Sequence, residues 1–138
     1  MIPIGGGSGL SDEKILSDSD IVVNVTTFNK YIDIKKVNSA EIKYIWVDVE
    51  GHEPFALEGA KEFLSDNNIP IFLEYNQHHY KKEGTYNKMI KLLNDCFDKF
   101  AVASQITESF TDNDFRDIKE IELLWEELEH NPCDLILF

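Results

Sequence analysis

The feature that most constrains the fold is the segment of residues 44–53, in which an apolar run stops at a group of carboxylates around Gly51. A short apolar run bounded by Gly and Pro is typical of a buried strand, and Gly51 and Pro54 supply those boundaries here. The segment therefore predicts a strand, a tight turn and a helix. Acids at the carboxyl end of a strand in an open α/β sheet lie where such sheets bind ligands, so this segment is the first candidate site.

Strand and helix patterns alternate along the rest of the chain, which predicts an α/β fold with a mostly parallel sheet and flanking helices. Two of the predicted strands, residues 44–49 and 69–75, are apolar on both faces, as in strands buried inside a parallel sheet. Residues 1–20 are rich in Gly, Ser and Asp and predict a flexible lead-in to a single α/β domain at 21–138. Strands are predicted at 21–26, 44–49, 69–75, 100–103 and 134–138, and helices within 27–43 and at 54–66, 85–99 and 111–130.

The composition excludes several classes of partner. The 138 residues carry a formal net charge of −13, which argues against nucleic acid and anionic membranes because phosphate binding needs clustered Lys and Arg. The acids concentrate in residues 112–129, which we interpret as the solvated face of a helix. No apolar run approaches the roughly 20 residues of a membrane helix, and the start lacks the pattern of a signal peptide. Cys96 and Cys133 share no motif, so we expect a reducing, cytoplasmic location.

A glycine-rich motif occupies residues 5–9. Such a loop can hold a phosphate or cofactor when it follows a strand and opens a helix, because backbone N–H groups then converge on the ligand. Residues 2–4 are too short for a buried strand and include Pro3. We therefore interpret the motif as part of the flexible lead-in.

The acids Asp48, Glu50 and Glu53 allow two interpretations. They can form a substrate-side cluster, in which a carboxylate orients a hydroxyl group and takes its proton. Alternatively, Glu50 and Glu53 cap the following helix and complement its dipole. Asp48, Glu50 and Glu74 also offer the oxygen ligands that Mg²⁺ and Ca²⁺ prefer, but their spacing matches no known metal loop and we predict no metal site.

Histidines and tyrosines near these acids are weaker candidates. His52 lies inside the acidic motif and is the best candidate for a functional histidine. His78 and His79 follow the next strand, where adjacent side chains would point to opposite faces, and a surface loop is favoured. Tyr75 and Tyr80 can line a substrate pocket, although packing is the default for aromatic residues.

Three segments carry a resemblance to a known family: WVDVEGHE at residues 46–53, LEGA at 57–60 and PIFLE at 70–74. Together they resemble the FkbM family of S-adenosylmethionine-dependent methyltransferases. VTTFNKY at 25–31 is similar to the family's upstream Thr-Leu-Asp element, and the likeness extends loosely to residue 138. Two positions depart from the family pattern, because Trp46 stands where Lys is usual and Asn29 where Asp is usual.

The resemblance implies a function, a fold and a set of site residues. It implies S-adenosylmethionine as cofactor and methyl transfer to a small-molecule hydroxyl, such as that of a sugar or natural product. It also implies the carboxyl-terminal part of a truncated Rossmann-like fold, because the first strands and their Gly-rich turn do not precede residue 21, and such a chain can be inactive alone. The implied residues are Asp48, Glu50, Glu53 and His52 for catalysis, with Glu74, Tyr75 and His78 for substrate binding.

The alternatives belong to other classes of protein. In the implied sheet order, residues 44–49 would pair on one side only, leaving an apolar edge that a second copy or a partner chain can cover. The chain can therefore be a non-catalytic α/β module derived from a methyltransferase. A small hydrolase or a metal-binding domain that uses the same acids is the third interpretation.

Overall fold

The computed structural model describes residues 2–4, 9–11, 25–106, 109 and 111–138. The strands in these ranges are β1 (Ile2–Ile4), β2 (Gly9–Ser11), β3 (Ile45–Val47), β4 (Ile71–Tyr75), β5 (Lys99–Val102), β6 (Arg116–Asp117) and β7 (Cys133–Leu137). The α-helices are α1 (Phe28–Lys35), α2 (Glu53–Asp66), α3 (Gln77–Lys82), α4 (Tyr86–Cys96) and α5 (Ile121–Glu127). None of these helices is both long and apolar enough to cross a membrane.

The amino-terminal segment contains a small strand pair. β1 and β2 pair antiparallel, with Ile2 opposite Ser11, so these two segments of the predicted lead-in form strands. Residues 5–8 of the glycine motif and residues 21–24 of the predicted first strand lie outside the described residues. Val25 and Thr26, which end that predicted strand, have no regular secondary structure.

The α/β class is confirmed, but the main sheet is mixed rather than mostly parallel. Its order is β3-β4-β7-β5-β6. β3 and β4 are parallel, whereas β7 runs antiparallel to both β4 and β5, and β6 runs antiparallel to β5.

The direction of β7 follows from the path of the chain after β5. Asp117 in β6 pairs with Lys99 at the start of β5. β6 therefore brings the chain to the amino end of β5, and α5 returns it to the opposite end. Cys133 then begins β7 opposite Tyr75 at the end of β4, so β7 must run backwards between its two neighbours. Alternation of strands and helices did not reveal this reversal.

The core lies between the sheet and the helices that pack on it. β4 alternates buried and half-buried side chains, with Leu73 only 1% exposed. The predicted helix at 54–66 is confirmed as α2, whose buried residues recur at helical spacing. The buried side chains of α2 are Glu53, Pro54, Leu57, Ala60, Phe63 and Leu64.

The prediction that β3 is buried on both faces is wrong. Val47 is buried, but Trp46 is 63% exposed and stacks on Phe72 of β4 with ring centroids 5.4 Å apart. β3 pairs only with β4 among the described residues, so it forms an edge of the sheet there. An apolar sequence cannot distinguish a covered face from an uncovered one, because that depends on what packs against it.

The acidic carboxyl-terminal segment is less helical than predicted. A capping box is present at Thr111, where the predicted helix 111–130 begins, with Asp114 as the second residue, but it opens a 3₁₀ turn (Asp112–Asp114) rather than a long helix. β6 and a second 3₁₀ turn (Ile118–Glu120) separate this turn from α5. The acidic side chains of α5 are exposed, as expected for a solvated face: Glu122, Glu126 and Glu127.

Candidate functional site

The parallel pairing of β3 and β4 places two acids side by side. Val47 pairs with Leu73, so Asp48 and Glu74 are the next residues along the two strands. One side-chain oxygen from each of Asp48, Glu74 and Glu53 lies within 4.8 Å of the other two. We call these three residues the acidic cluster. It forms at the carboxyl ends of the two parallel strands, where the sequence predicted it.

A strained turn joins β3 to α2 and brings Glu53 into the acidic cluster. Glu50 and Gly51 both have positive φ values, of 55° and 90°, and Gly favours this region because it has no Cβ. The His52 N–H donates a hydrogen bond to the Val49 carbonyl across the turn, at 3.2 Å. Glu50 is left exposed in this geometry and is not one of the three converging acids.

Glu53 is fully buried, and one of its two carboxylate oxygens accepts hydrogen bonds from the backbone of the turn. Its Oε1 accepts hydrogen bonds from the backbone N–H groups of Val49, at 2.9 Å, and Gly51, at 3.2 Å. Its Oε2 is buried and has no hydrogen-bond partner among the described residues. The capping interpretation is therefore wrong for the hydrogen bonds, because Glu53 bonds the turn that precedes α2 and not the N–H groups of the helix, although it lies in the first turn of α2. One carboxylate oxygen remains free.

The mutual repulsion of the acidic cluster contributes to a raised pKa at Glu74. Burial raises the pKa of this carboxyl group, and the negative charges of Asp48, Glu53 and Glu50 raise it further, while His79 partly opposes them. Close carboxylates disfavour ionisation of one another in this way. No described hydrogen bond or ion pair engages the side chains of Asp48 or Glu74.

The histidines are arranged differently from the prediction. His78 and His79 lie on the short helix α3, not on a strand or in a loop, and His78 is exposed. The imidazole of His79 faces the turn, because a Cβ on Gly51 would lie 3.3 Å from the His79 Cβ. The buried Nδ1 atoms of His79 and His52 have no hydrogen-bond partner among the described residues.

His79 lies near the site, although the sequence reasoning favoured a surface loop for it. The carboxamide of Asn76 accepts a hydrogen bond from the His79 N–H, at 3.4 Å, and so caps the start of α3. Asn is a preferred residue at this capping position. Interpreting Asn76 as a cap would have placed His79 in the first turn of a helix that follows β4.

Tyr75, predicted to bind substrate, lies in the core instead. It has no exposed surface, and its phenol oxygen accepts a hydrogen bond from the Gln77 side chain at 3.3 Å. Successive strand residues point to opposite faces, so Tyr75 points away from Glu74. Tyr80 is also buried, and its hydroxyl donates to the Glu74 carbonyl at 2.8 Å. Tyr80 therefore fixes the backbone of Glu74.

An apolar cavity lies beside β3, and none of the three acids of the acidic cluster lines it. Its volume is about 650 Å³, and it is bordered by β3, α2 and the start of α1. Its polar side chains are the hydroxyls of Thr26, Thr27 and Tyr31, and no charged residue lines it. Trp46 and Phe55, both exposed, lie at this surface.

Comparison with known proteins gives one family match. The model of the methyltransferase FkbM domain matches residues 5–100, which is more than half of the chain and includes the acidic cluster. Searches of curated proteins and of solved structures found no match.

Proposed function

Because the chain belongs to the FkbM methyltransferase family, we propose that it is the acceptor-binding part of a methyltransferase that methylates a hydroxyl oxygen, such as that of a sugar or natural product. The observation that carries the proposal is the convergence of the Asp48, Glu53 and Glu74 carboxylates within 4.8 Å. Ligands of open α/β sheets bind at the carboxyl ends of the strands, which is where these acids lie.

The acidic cluster offers what a hydroxyl acceptor needs. A hydroxyl becomes a better nucleophile when a positioned carboxylate accepts its hydrogen bond and then its proton. Asp48 is exposed and can be reached by an acceptor, whereas buried Glu53 is fixed by its two backbone hydrogen bonds. Holding the acceptor oxygen in one orientation removes much of the entropic barrier to reaction. Glu50 and His52 lie on the same turn, and in this proposal they make additional contacts to the acceptor.

The described residues do not fit the whole cofactor. Members of the family are generally S-adenosylmethionine-dependent, and this cofactor supplies an electrophilic methyl group when it is bound. In this fold an acid holds its ribose, but the apolar cavity beside β3 offers hydroxyls and no acid. The proposal therefore assigns the acceptor side to the described residues and names no residue for the cofactor.

Two measurements on the full chain test the proposal. Calorimetry with S-adenosylmethionine should give saturable, micromolar binding, and labelled methyl groups should be transferred to a panel of sugars and hydroxylated natural products. Asp48→Asn should lower the transfer rate by about 100-fold or more, the usual contribution of a positioned acid or base. Glu58→Gln, on the exposed side of α2, is the matched control and should leave the rate unchanged. Transfer that is equal in both variants would contradict the role of the acidic cluster.

A specific observation favours a second candidate, a non-catalytic interaction module. β3 has one described neighbour, and Tyr44, Trp46, Val49 and Phe55 expose apolar surface around the adjoining cavity. An unpaired strand edge with apolar flanks is a template for pairing with another strand. A folded chain that dimerises by light scattering but does not bind S-adenosylmethionine would favour this candidate over the enzyme.

A further inference from the structure

We infer that the acidic cluster is a binding site for a divalent cation of the Mg²⁺ and Ca²⁺ class. This inference goes beyond methyl transfer, since cation binding does not depend on a methyl donor or an acceptor. It rests on three properties of the site: the spacing of the oxygens, the absence of a described ion pair to the three acids, and the free oxygen of a buried carboxylate.

The spacing of the oxygens fits one shared ion. Two ligands on opposite sides of one ion are separated by at most twice the metal–oxygen distance, which is about 4.2 Å for Mg²⁺ and about 4.6–5.2 Å for Ca²⁺. One oxygen from each of Asp48, Glu53 and Glu74 lies within 4.8 Å of the other two. Three evenly spread ligands of one Ca²⁺ ion are up to about 4.5 Å apart, so these oxygens need to approach one another by at most about 0.3 Å to share the ion. Mg²⁺, with its shorter bonds, requires a closer approach.

No described lysine or arginine forms an ion pair with the acidic cluster, and the basic group that acts on it is His79, which partly opposes the rise in the pKa of Glu74. The described ion pairs of lysine, arginine and histidine involve acids elsewhere, on α2, α4 and α5 and in the turn before α5. Three carboxylates held this close repel one another. A divalent ion would convert that repulsion into attraction, and it would be the largest local charge in the site.

The buried carboxylate of Glu53 is the independent observation. Burying a charged oxygen without a partner is costly, yet Glu53 has no exposed surface and its Oε2 has no described hydrogen-bond partner. The two backbone hydrogen bonds to Oε1 fix the orientation of the group. The carboxylate is thus held in place within the cluster with one oxygen free, which is the arrangement that a metal ligand requires.

The protein would supply only part of the coordination shell. Three carboxylates leave several positions open on an ion that takes six to eight oxygen ligands. Asp48 is exposed, so water can fill these positions from the solvent side. An acceptor hydroxyl can replace one of those waters if the proposed function is correct.

Calorimetry on the chelator-treated full chain, in about 0.15 M KCl to screen the net charge, tests the inference. CaCl₂, MgCl₂ and MnCl₂ are titrated separately, and we expect saturable binding of one ion per chain for at least one of them. Glu53→Gln keeps an acceptor for the two backbone N–H groups but removes the charge, and it should weaken binding at least tenfold. Asp48→Asn, at an exposed position, should also weaken binding at least tenfold. This variant replaces Glu53→Gln in the test if Glu53→Gln does not fold.

The control is Glu58→Gln, which removes an exposed acid from α2 without touching the acidic cluster. It should bind the ion as the unmodified chain does. Equal binding by Asp48→Asn and Glu58→Gln would overturn the inference, because the ions would then be attracted only by the overall negative charge. A lack of saturable binding for all three salts would overturn it as well. Neither result depends on methyl transfer, so failure here leaves the proposed function to its own test.

Discussion

Replacing Glu53 with Ala tests whether this buried carboxylate holds the turn between β3 and α2. Ala removes the acceptor for the N–H groups of Val49 and Gly51, which lie 2.9 and 3.2 Å from Oε1. A hydrogen bond to a charged group contributes about 1.5–3 kcal/mol, so the two bonds set an upper range of about 3–6 kcal/mol. Relief of the repulsion from Asp48 and Glu74 offsets part of this loss.

We therefore expect Glu53→Ala to lower the free energy of unfolding by about 2–4 kcal/mol, a large share of the roughly 5–15 kcal/mol of a typical domain. Urea denaturation followed by circular dichroism measures this change, provided that the dependence of the free energy of unfolding on urea concentration has the same slope in both proteins. The measurement is made without divalent cations, so that ion binding does not contribute.

Two further variants make the result specific. Glu58→Ala, on the same helix, removes only an exposed ion pair with Lys88, and it should change the free energy of unfolding by about 0.5 kcal/mol or less. Glu53→Gln keeps a side-chain acceptor and should stay within about 1 kcal/mol of the unmodified chain. The reasoning is refuted if Glu53→Ala and Glu58→Ala have the same effect.

Three other predictions concern packing, backbone strain and pH. Leu73→Ala in the centre of β4 should cost about 2–5 kcal/mol of unfolding free energy, whereas Leu123→Ala, which is 60% exposed, should cost about 0.5 kcal/mol or less by denaturant titration. Gly51→Ala should destabilise the chain more than Gly84→Ala in the same assay, because both positions have positive φ but only the first has a side chain within 4 Å. Burial raises the pKa of the Cys133 thiol to about 12. The folded state therefore keeps the thiol protonated at a pH where the unfolded chain would lose the proton. The contribution of this group to the free energy of unfolding is complete below its ordinary pKa of 9.0, and it declines as the pH rises towards 12. Native Cys133 should resist iodoacetamide at pH 9 and react once the chain is unfolded in urea, and fast reaction in the native state would contradict the burial.

The sequence was sufficient to predict the elements that form the site. The apolar run before Asp48, the Gly51 turn and the pattern of α2 are local signals, and local signals determine a strand, a turn and a helix. The placement of Glu74 beside Asp48 followed from assuming that two successive strands around a helix are parallel. That assumption is correct for β3 and β4.

Other features depend on tertiary contacts that no local pattern records. The exposure of Trp46 depends on what covers β3, and the reversal of β7 depends on how the chain returns from β6. Among the three acids of the motif, sequence could not separate buried Glu53 from exposed Glu50, because the positive φ values of the turn decide which side chain points inward. His79 was assigned to a surface loop because α3 is too short for an apolar repeat to reveal it.

The most direct test of the account is the pKa of Glu74, measured by ¹³C NMR of its carboxyl carbon in chelator-treated protein. Burial, together with the convergence of the acids, predicts that the pKa of Glu74 lies above its ordinary value of 4.5. Asp48→Asn should then lower this pKa by removing a neighbouring negative charge, while Glu58→Gln leaves it unchanged. An ordinary pKa that does not respond to Asp48→Asn would contradict the account, because the carboxylates would then not share one site.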